Sequence, residues 1–179
     1  MRLTKGDRIP ELTFSTAWEN DIRLYDRLKG KTVLWVLRYI GCPVCRLDMR
    51  DIAEKYDRIR EKNAQVFVVM QSDAAHLKQE LDENPVPFEI ISDPELRIYD
   101  LLDIRPAKST ASLVIKDLYR SMHKVREASK AGFSHGDYEG IETQLPALFI
   151  LDETGTVLYA HYARSLADMP SAEELLALL

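Results

Sequence analysis

Cysteine is scarce in this chain, with two cysteines among 179 residues. Two cysteines cannot build the multi-disulfide framework of small extracellular domains, so the fold must rely on an apolar core. Positive charge is also in deficit, because 24 lysines and arginines face 29 aspartates and glutamates, for a net charge of −5. This balance argues against a nucleic-acid partner and against binding to an anionic membrane.

Long apolar runs are missing as well. No stretch approaches the ~20 apolar residues of a membrane span, and residues 1–7 lack the apolar core of a signal peptide. We therefore expect no membrane partner and a reducing, cytoplasmic location. There, a close cysteine pair is more often catalytic or metal-binding than structural.

Apolar segments alternate between strand and helix patterns along the chain. Strands are predicted at 12–16, 22–24, 32–39, 66–70, 88–91, 147–151 and 156–162, with a hairpin turn at 152–155. Helices are predicted at 46–63 and 73–84, then after Pro94 through about 102, and at 171–179. This order predicts one α/β domain over residues 1–179, in which helices flank a central mixed β-sheet.

The segment from about 104 to 144 is longer than an ordinary connection. It contains a helical stretch near 112–130 and a glycine-bearing loop at 132–140. A segment of this length in a compact domain is usually functional or an insertion with its own structure. We predict an insertion before the late strand at 147–151.

Both cysteines stand in Gly41-Cys42-Pro43-Val44-Cys45, directly after a predicted buried strand. A helix that begins at Pro43 would turn free N–H groups and its positive dipole end toward Cys42. Such motifs lower a thiol pKa from about 8.5 to ~7 or below. Cys45 lies one helical turn later on the same side. The spacing predicts Cys42 as the nucleophile and Cys45 as the resolving thiol.

Two other interpretations of the cysteine pair remain open. A zinc site would need completion by histidines, yet the four histidines include no close pair, so we expect no metal and no cofactor; they are His76, His123, His135 and His161. Inert buried thiols are the other alternative. His135 lies in the glycine-bearing loop and could approach the cysteines, although a solvated loop histidine is the simpler interpretation.

Four stretches of the chain resemble the thioredoxin superfamily and, within it, the peroxiredoxins of the alkyl hydroperoxide reductase/thiol-specific antioxidant group. They are residues 6–14 (GDRIPELTF), 28–31 (LKGK), 38–46 (RYIGCPVCR) and 145–155 (LPALFILDETG). The likeness is to a branch with a Cys-x-x-Cys motif. It implies a thioredoxin-like fold and a peroxidatic cysteine at Cys42.

The chain departs from the family pattern around that cysteine. The family has proline seven residues and threonine three residues before it, where this chain has Trp35 and Tyr39, and Gln144 and Leu145 replace the family's arginine near the late strand. We expect substrate to be bound by other residues near the turn. The predicted set is Arg38, Tyr39, Gly41 and Pro146. A cis-proline at 146 would face the cysteine pair and present its backbone to a substrate, and the alternative is an ordinary trans proline that starts the strand.

Three functions compete at this point. The first is an antioxidant enzyme that reduces hydroperoxides at Cys42 and forms a disulfide with Cys45. The second is a thioredoxin-like oxidoreductase acting on protein disulfides, and the third is a non-catalytic redox-sensing or interaction module. Thioredoxin or glutathione is the expected reductant. A homodimer is a further expectation, and the apolar Tyr159, Tyr162 and Leu175–Leu179 either pack in the core or form part of its interface.

Overall fold

A computed structural model describes residues 1–179, whose strands belong to one seven-stranded sheet. The strands are β1 (Thr13–Thr16), β2 (Ile22–Arg23), β3 (Lys31–Val36), β4 (Ala64–Met70), β5 (Glu89–Ser92), β6 (Ala147–Leu151) and β7 (Val157–Tyr162). Their order across the sheet is β2-β1-β5-β4-β3-β6-β7. The eight helices are α1 (Leu24–Arg27), α2 (Pro43–Glu54), α3 (Tyr56–Glu61), α4 (Ala74–Glu83), α5 (Arg97–Leu101), α6 (Thr110–Ile115), α7 (Leu118–Lys130) and α8 (Ala172–Leu178).

The centre of the sheet is parallel and its flanks are antiparallel. Strand β4 pairs in parallel with both β3 and β5, whereas β6 runs antiparallel to β3 and forms a hairpin with β7. Strand β3 is buried on both faces, as its nearly continuous apolar sequence predicts. The predicted mixed sheet flanked by helices is therefore confirmed.

Alternate residues of β3 serve two separate apolar clusters. Val33 and Trp35 face the cluster that contains Cys42, Cys45 and the apolar side of α2. Leu34 and Val36 face the second cluster, formed with the N-terminal segment and α5. Because side chains alternate along a strand, one central strand anchors the layers on both sides of the sheet.

The predicted helix at 46–63 is two helices in the structure. It begins earlier, at Pro43, because Cys42 acts as the N-cap and proline fits the first turn. It is interrupted at Lys55, whose ψ of 8° leaves the helical region. The shorter α3 then packs on β4 and buries Ile59 completely.

The insertion forms α6, α7 and a following loop, and its two ends are joined. The Ala107 N–H donates to the Thr143 carbonyl at 2.8 Å. The Gln144 amide donates to the Ile104 carbonyl at 3.0 Å. The segment therefore leaves the domain and returns to it at one place beside the start of β6, which we call the neck of the insertion.

The C-terminal residues considered as a dimer surface lie largely inside the molecule. Leu175 and Leu176 of α8 are buried, and the Tyr162 hydroxyl donates to the Leu102 carbonyl at 2.9 Å. None of the helices combines the length and the apolar character that crossing a membrane requires.

Candidate active site

The segment between β3 and α2 carries the site and is anchored to its neighbours. The Leu37 N–H donates to Val69 O at 2.9 Å, and the Gln71 N–H donates to Arg38 O at 2.7 Å. The Tyr99 hydroxyl donates to Leu37 O at 2.8 Å. Backbone hydrogen bonding thus continues past the end of β3 and fixes the position of the backbone from which the Arg38 and Tyr39 side chains extend.

Cys42 stands at the N-terminus of α2. Its Sγ accepts a hydrogen bond from the Cys45 backbone N–H at 3.4 Å, and its carbonyl accepts from the Arg46 N–H at 3.0 Å. Both cysteines are free thiols, exposed by no more than 2%. The predicted placement of the pair at a strand-to-helix turn is therefore observed.

Arg38 supplies a buried positive charge beside the first cysteine. Its Nη1 lies 3.6 Å from Cys42 Sγ, and the residue is 5% exposed. Its Nε has no hydrogen-bond partner within the protein. A buried guanidinium with an unused donor is suited to hold an oxygen acceptor next to the sulfur.

The two thiols have opposite acid strengths. The Cys45 thiol donates a hydrogen bond that lowers the pKa of Cys42 to about 6; burial opposes this, while Arg38 and the backbone N–H groups of Cys45 and Val44 assist it. Burial raises the pKa of Cys45 well above its ordinary value, and the neighbouring Cys42 adds to the effect. At neutral pH the pair therefore consists of a thiolate at Cys42 and a thiol at Cys45.

Tyr39 and His135 meet above this pair. The Tyr39 hydroxyl lies 3.0 Å from His135 Nε2 and accepts a hydrogen bond from Arg38 Nη2 at 3.4 Å. The His135 ring also lies on the Tyr138 ring, with 4.1 Å between centroids. His135 is exposed to solvent on its other side, so the solvated-loop interpretation describes only half of its environment.

The loop that carries His135, residues 132–141, crosses the cysteine turn, and we call it the cover loop. The Gly136 N–H donates to the Gly41 carbonyl at 2.9 Å. A Cβ on Gly41 would stand 2.5 Å from the Asp137 carbonyl oxygen, so only glycine permits this approach. Gly41 therefore allows the cover loop to close over the thiols.

Glu139 fixes the far end of the cover loop. One carboxylate oxygen accepts from the Ser72 hydroxyl at 2.6 Å, and the other lies 3.0 Å from His76 Nδ1. Ser72 Oγ in turn accepts the Ile40 N–H at 2.9 Å. The loop is thus tied to the cysteine turn through a side chain of the β4–α4 connection.

The remaining histidines lie apart from the thiols. His161 Nε2 contacts the Asp168 carbonyl at 2.5 Å, and His123 is exposed on α7. No group of three or more cysteine, histidine, aspartate or glutamate side chains has an arrangement that could hold a metal ion. Thiol chemistry at Cys42 and Cys45 is what this constellation can perform.

Comparison with known proteins places the chain in a family. The AhpC/TSA family model matches residues 5–160. The chain belongs to the AhpC/TSA family. This membership confirms the predicted resemblance, and with it a thiol-dependent oxidoreductase of the thiol peroxidase type. No curated protein sequence matches the chain.

Solved structures share the fold at low sequence identity. Peroxidoxin BcpB from Mycobacterium tuberculosis superposes with a TM-score of 0.70 at 12% identity, covering 99% of this chain and 96% of that one. A thiol peroxidase from Chromobacterium violaceum gives 0.68 at 13%, covering 99% and 87%. A yeast mitochondrial 1-Cys peroxiredoxin, described with thiol resolving via glutathione/thioredoxin systems, gives 0.67 at 18%, covering 97% and 73%. The thioredoxin-like fold is thereby confirmed.

Two positions that differ from the AhpC/TSA pattern have structural duties here. Trp35 is buried near the C-terminal end of β3. Gln144 is buried at the neck of the insertion, where its amide binds the Ile104 carbonyl. The guanidinium that lies beside the sulfur in this family member belongs to Arg38, four residues before Cys42 in the chain.

Pro146 directly precedes β6 and is buried, with a trans peptide bond. Its carbonyl accepts the Ala163 N–H at 3.1 Å, so that group is already used within the protein. Its role in substrate binding stays a prediction. The other predicted residues, Arg38, Tyr39 and Gly41, surround the cysteine pair.

The sequence did not predict the contacts of Glu139 with Ser72 and His76, which we call the Glu139 clasp. It also did not predict that His135 contacts Tyr39. Their separation in sequence gives no local pattern. The available signal was the spacing of glycines at 132, 136 and 140, which is typical of a loop that approaches another backbone closely.

Proposed function

We propose that this AhpC/TSA protein reduces hydroperoxides with Cys42 as the peroxidatic thiolate and Cys45 as the resolving thiol. Arg38, Tyr39 and Gly41 form the substrate site, and Pro146 borders it. The single observation that carries the proposal is the Arg38 guanidinium, 3.6 Å from a Cys42 sulfur whose pKa is lowered to about 6.

The proposed reaction transfers two electrons from sulfur to oxygen. The Cys42 thiolate attacks the terminal oxygen of the hydroperoxide, forming an S–O bond as the O–O bond breaks, and the alkoxide leaves and takes up a proton. Cys42 is then a sulfenic acid. Cys45 loses its proton and attacks the Cys42 sulfur, an S–S bond forms, and the hydroxyl leaves as water.

Burial favours a small oxidant over a protein disulfide. Cys42 is 1% exposed beneath the cover loop, and the Gly136–Gly41 hydrogen bond closes the loop directly over the turn. A hydroperoxide is a small molecule, whereas exchange with a protein disulfide requires the attacking thiolate to reach a sulfur on the surface of another protein. The unpartnered Arg38 Nε supports an oxygen-bearing ligand.

The wider assignment is also part of the proposal. A cellular dithiol, thioredoxin or glutathione, returns the Cys42–Cys45 disulfide to two thiols, in line with the resolving systems named for the yeast neighbour. We propose one thioredoxin-like domain over residues 1–179 with the insertion at about 104–144, in a reducing cytoplasm. A homodimer is proposed as well; the exposed apolar side chains at 115, 118, 119, 122 and 125 on the insertion support it.

Stopped-flow oxidation of the reduced protein tests the proposal. Hydrogen peroxide, tert-butyl hydroperoxide and a small disulfide are compared as oxidants, and mass spectrometry follows both cysteines. We expect oxidation by peroxides far faster than that of free cysteine and a 42–45 disulfide as product. Slow peroxide reaction with rapid disulfide exchange would replace this proposal with the oxidoreductase alternative.

The matched variant is Cys45→Ser. It retains the attacking sulfur and removes the resolving one, so a sulfenic acid at Cys42 should accumulate and be trapped by dimedone. Cys42→Ser should react with no peroxide at all. Sedimentation of the reduced and oxidised wild type measures the oligomeric state.

A further inference from the structure

The hydrogen bonds around Tyr39 have one consistent direction. Arg38 Nη2 can only donate, so the Tyr39 oxygen accepts from it and the hydroxyl proton is free to point elsewhere. The His135 Nδ1 lies 2.7 Å from the Gly136 carbonyl. Because a carbonyl can only accept, Nδ1 carries a hydrogen and Nε2 of the neutral ring is left as an acceptor for the Tyr39 hydroxyl.

One guanidinium thus connects the sulfur and the hydroxyl. Arg38 places Nη1 at 3.6 Å from Cys42 Sγ and Nη2 at 3.4 Å from the Tyr39 oxygen. A hydroperoxide that accepted from both Nη groups would have one oxygen toward the sulfur and the other toward the hydroxyl. The leaving oxygen therefore develops its negative charge beside a proton donor.

We propose that Tyr39 is the general acid that protonates the leaving oxygen, and that His135 acts through Tyr39 by returning its proton. This inference rests on the proposed peroxidase function. It assigns a proton path from solvent, through the exposed His135 on the cover loop, to a buried hydroxyl.

The proton balance is complete. As the O–O bond breaks, the alkoxide takes the Tyr39 hydroxyl proton and leaves as an alcohol. Once that proton has left, the Nε2 of the neutral His135 takes up a proton from solvent and passes it to the Tyr39 oxygen, which returns both groups to their starting state. Cys42 keeps the transferred oxygen as a sulfenic acid, so sulfur supplies both electrons.

A general acid must keep its proton until the peroxide binds, and the surroundings of the Tyr39 hydroxyl favour this. Burial raises the pKa of Tyr39; Cys42, Cys45 and Glu142 add to this, and Arg38 opposes it. Tyr138 lies against the His135 ring, with 4.1 Å between the centroids, and its own ring centroid is 6.3 Å from that of Tyr39. The hydroxyl is therefore protonated whenever a peroxide arrives, and Tyr138 holds the imidazole in register with it.

Leaving-group dependence tests the proposal. Hydrogen peroxide and tert-butyl hydroperoxide expel strongly basic anions that need a proton, whereas peracetic acid expels acetate, which does not. For Tyr39→Phe and His135→Gln we expect oxidation of Cys42 by the two hydroperoxides to fall by about 10²-fold, the lower end of general acid catalysis. The peracetic acid rate should fall far less than the two hydroperoxide rates, because acetate leaves without a proton, and the rate of alkylation by iodoacetamide should stay near wild type.

The His135→Gln variant separates chemistry from architecture. A glutamine amide can still bind the Tyr39 hydroxyl but cannot transfer a proton to it. His123→Gln, on the exposed face of α7, is the matched control and should retain all four rates. Equal losses with peracetic acid and hydrogen peroxide would mean a purely structural role and overturn the inference.

The outcomes also separate this inference from the proposed function. Fast peroxide reduction by the wild type together with unchanged rates in His135→Gln and Tyr39→Phe keeps the peroxidase and overturns the proton path. A wild type that reacts with hydrogen peroxide no faster than free cysteine overturns both.

Discussion

Gly41 and Gly136 are in backbone contact: the Gly136 N–H donates to the Gly41 carbonyl across 2.9 Å, and a Cβ on Gly136 would lie 3.1 Å from Gly41 Cα. This contact joins the cysteine turn to the insertion, which is almost a hundred residues away in the chain. It brings His135 to Tyr39 and covers Cys42. The insertion is therefore part of the redox site.

Replacing Gly41 by alanine should displace the cover loop. The new Cβ would stand 2.5 Å from the Asp137 carbonyl oxygen, and overpacking against backbone costs about 1–3 kcal/mol. We expect Gly41→Ala to lose roughly that much unfolding free energy, to react faster with a bulky maleimide and to reduce peroxide more slowly. Ser134→Ala, at an exposed loop position, is the control. A Gly41→Ala protein with wild-type maleimide kinetics would contradict the covering role.

Removing the Arg38 charge should raise the pKa of Cys42. The hydrogen bond from the Cys45 thiol and the charge of Arg38 both lower this pKa, which is about 6. In Arg38→Met and in Cys45→Ala the midpoint of thiolate absorbance should therefore move upward. Each unit by which the pKa rises above 7 lowers the thiolate fraction at pH 7 about tenfold, and iodoacetamide alkylation should slow accordingly.

The matched control for this charge is Arg46→Met. Arg46 pairs with Glu80 at 3.1 Å and lies over the Phe133 ring, so its removal should leave the midpoint near 6. Differences between wild type and Arg38→Met should be largest between pH 6 and pH 9, where only the wild type is a thiolate. An unchanged titration would remove Arg38 from the activation of Cys42.

The Glu139 clasp should respond to pH through His76. Burial lowers the pKa of His76, but the hydrogen bond and charge of Glu139 outweigh this and raise it above its usual 6.5. A raised histidine pKa stabilises the fold below pH 6.5, and that contribution is lost as the pH rises through the raised value. Glu139→Ala should therefore cost more unfolding free energy at pH 6 than at pH 9, by about 1 kcal/mol.

Urea unfolding at the two pH values measures this difference. Asp137→Ala removes the same charge from the same loop without touching His76 or Ser72, so it should show no such pH dependence. Limited proteolysis of Glu139→Ala should also cut the cover loop faster than in the wild type. An equal stability loss at both pH values would leave only the Ser72 hydrogen bond as the contribution of Glu139.

Local patterns predicted the scaffold and the cysteine turn well. The β6 boundaries and the Cys42 N-cap follow from features within a few residues: a continuous apolar run, then Gly41 and Pro43 around the cysteine. The interruption at Lys55 was missed because the apolar spacing continues across it, and only tertiary packing of Ile59 on β4 selects the break.

Contacts between distant segments could not be read from the sequence. Gly41 and Gly136, and Tyr39 and His135, lie almost a hundred positions apart, so no periodicity connects them. The family pattern also directed attention to Gln144, the position of an arginine, whereas the structure uses Arg38 beside the sulfur. A charge can be supplied from either element because its effect depends on distance to the thiolate and not on chain position.

A buried ion pair fastens the insertion to the cysteine helix. Lys124 of α7 places Nζ 2.7 Å from Asp48 Oδ1 of α2, with side-chain exposures of 18% and 10%. Burial raises the pKa of Asp48, and Lys124 opposes this rise. The pair therefore neutralises a carboxylate that α2 would otherwise bury alone.

Lys124→Met should consequently destabilise the protein by about 3–5 kcal/mol at pH 7, because it leaves an uncompensated buried carboxylate. The loss should shrink as the pH falls: an aspartate whose pKa is raised in the folded state binds its proton more readily there, so acid favours the folded form. The double variant Asp48→Leu/Lys124→Met should recover most of the stability, because it removes both charges. The control is Lys130→Met, which breaks an exposed pair with Glu127 on the same helix. It should cost about 0–1 kcal/mol. Urea unfolding of the wild type and the three variants at pH 7 and pH 5 measures these differences. A loss of stability in Lys124→Met that is small or independent of pH would mean that Lys124 does not hold Asp48 as a charged group.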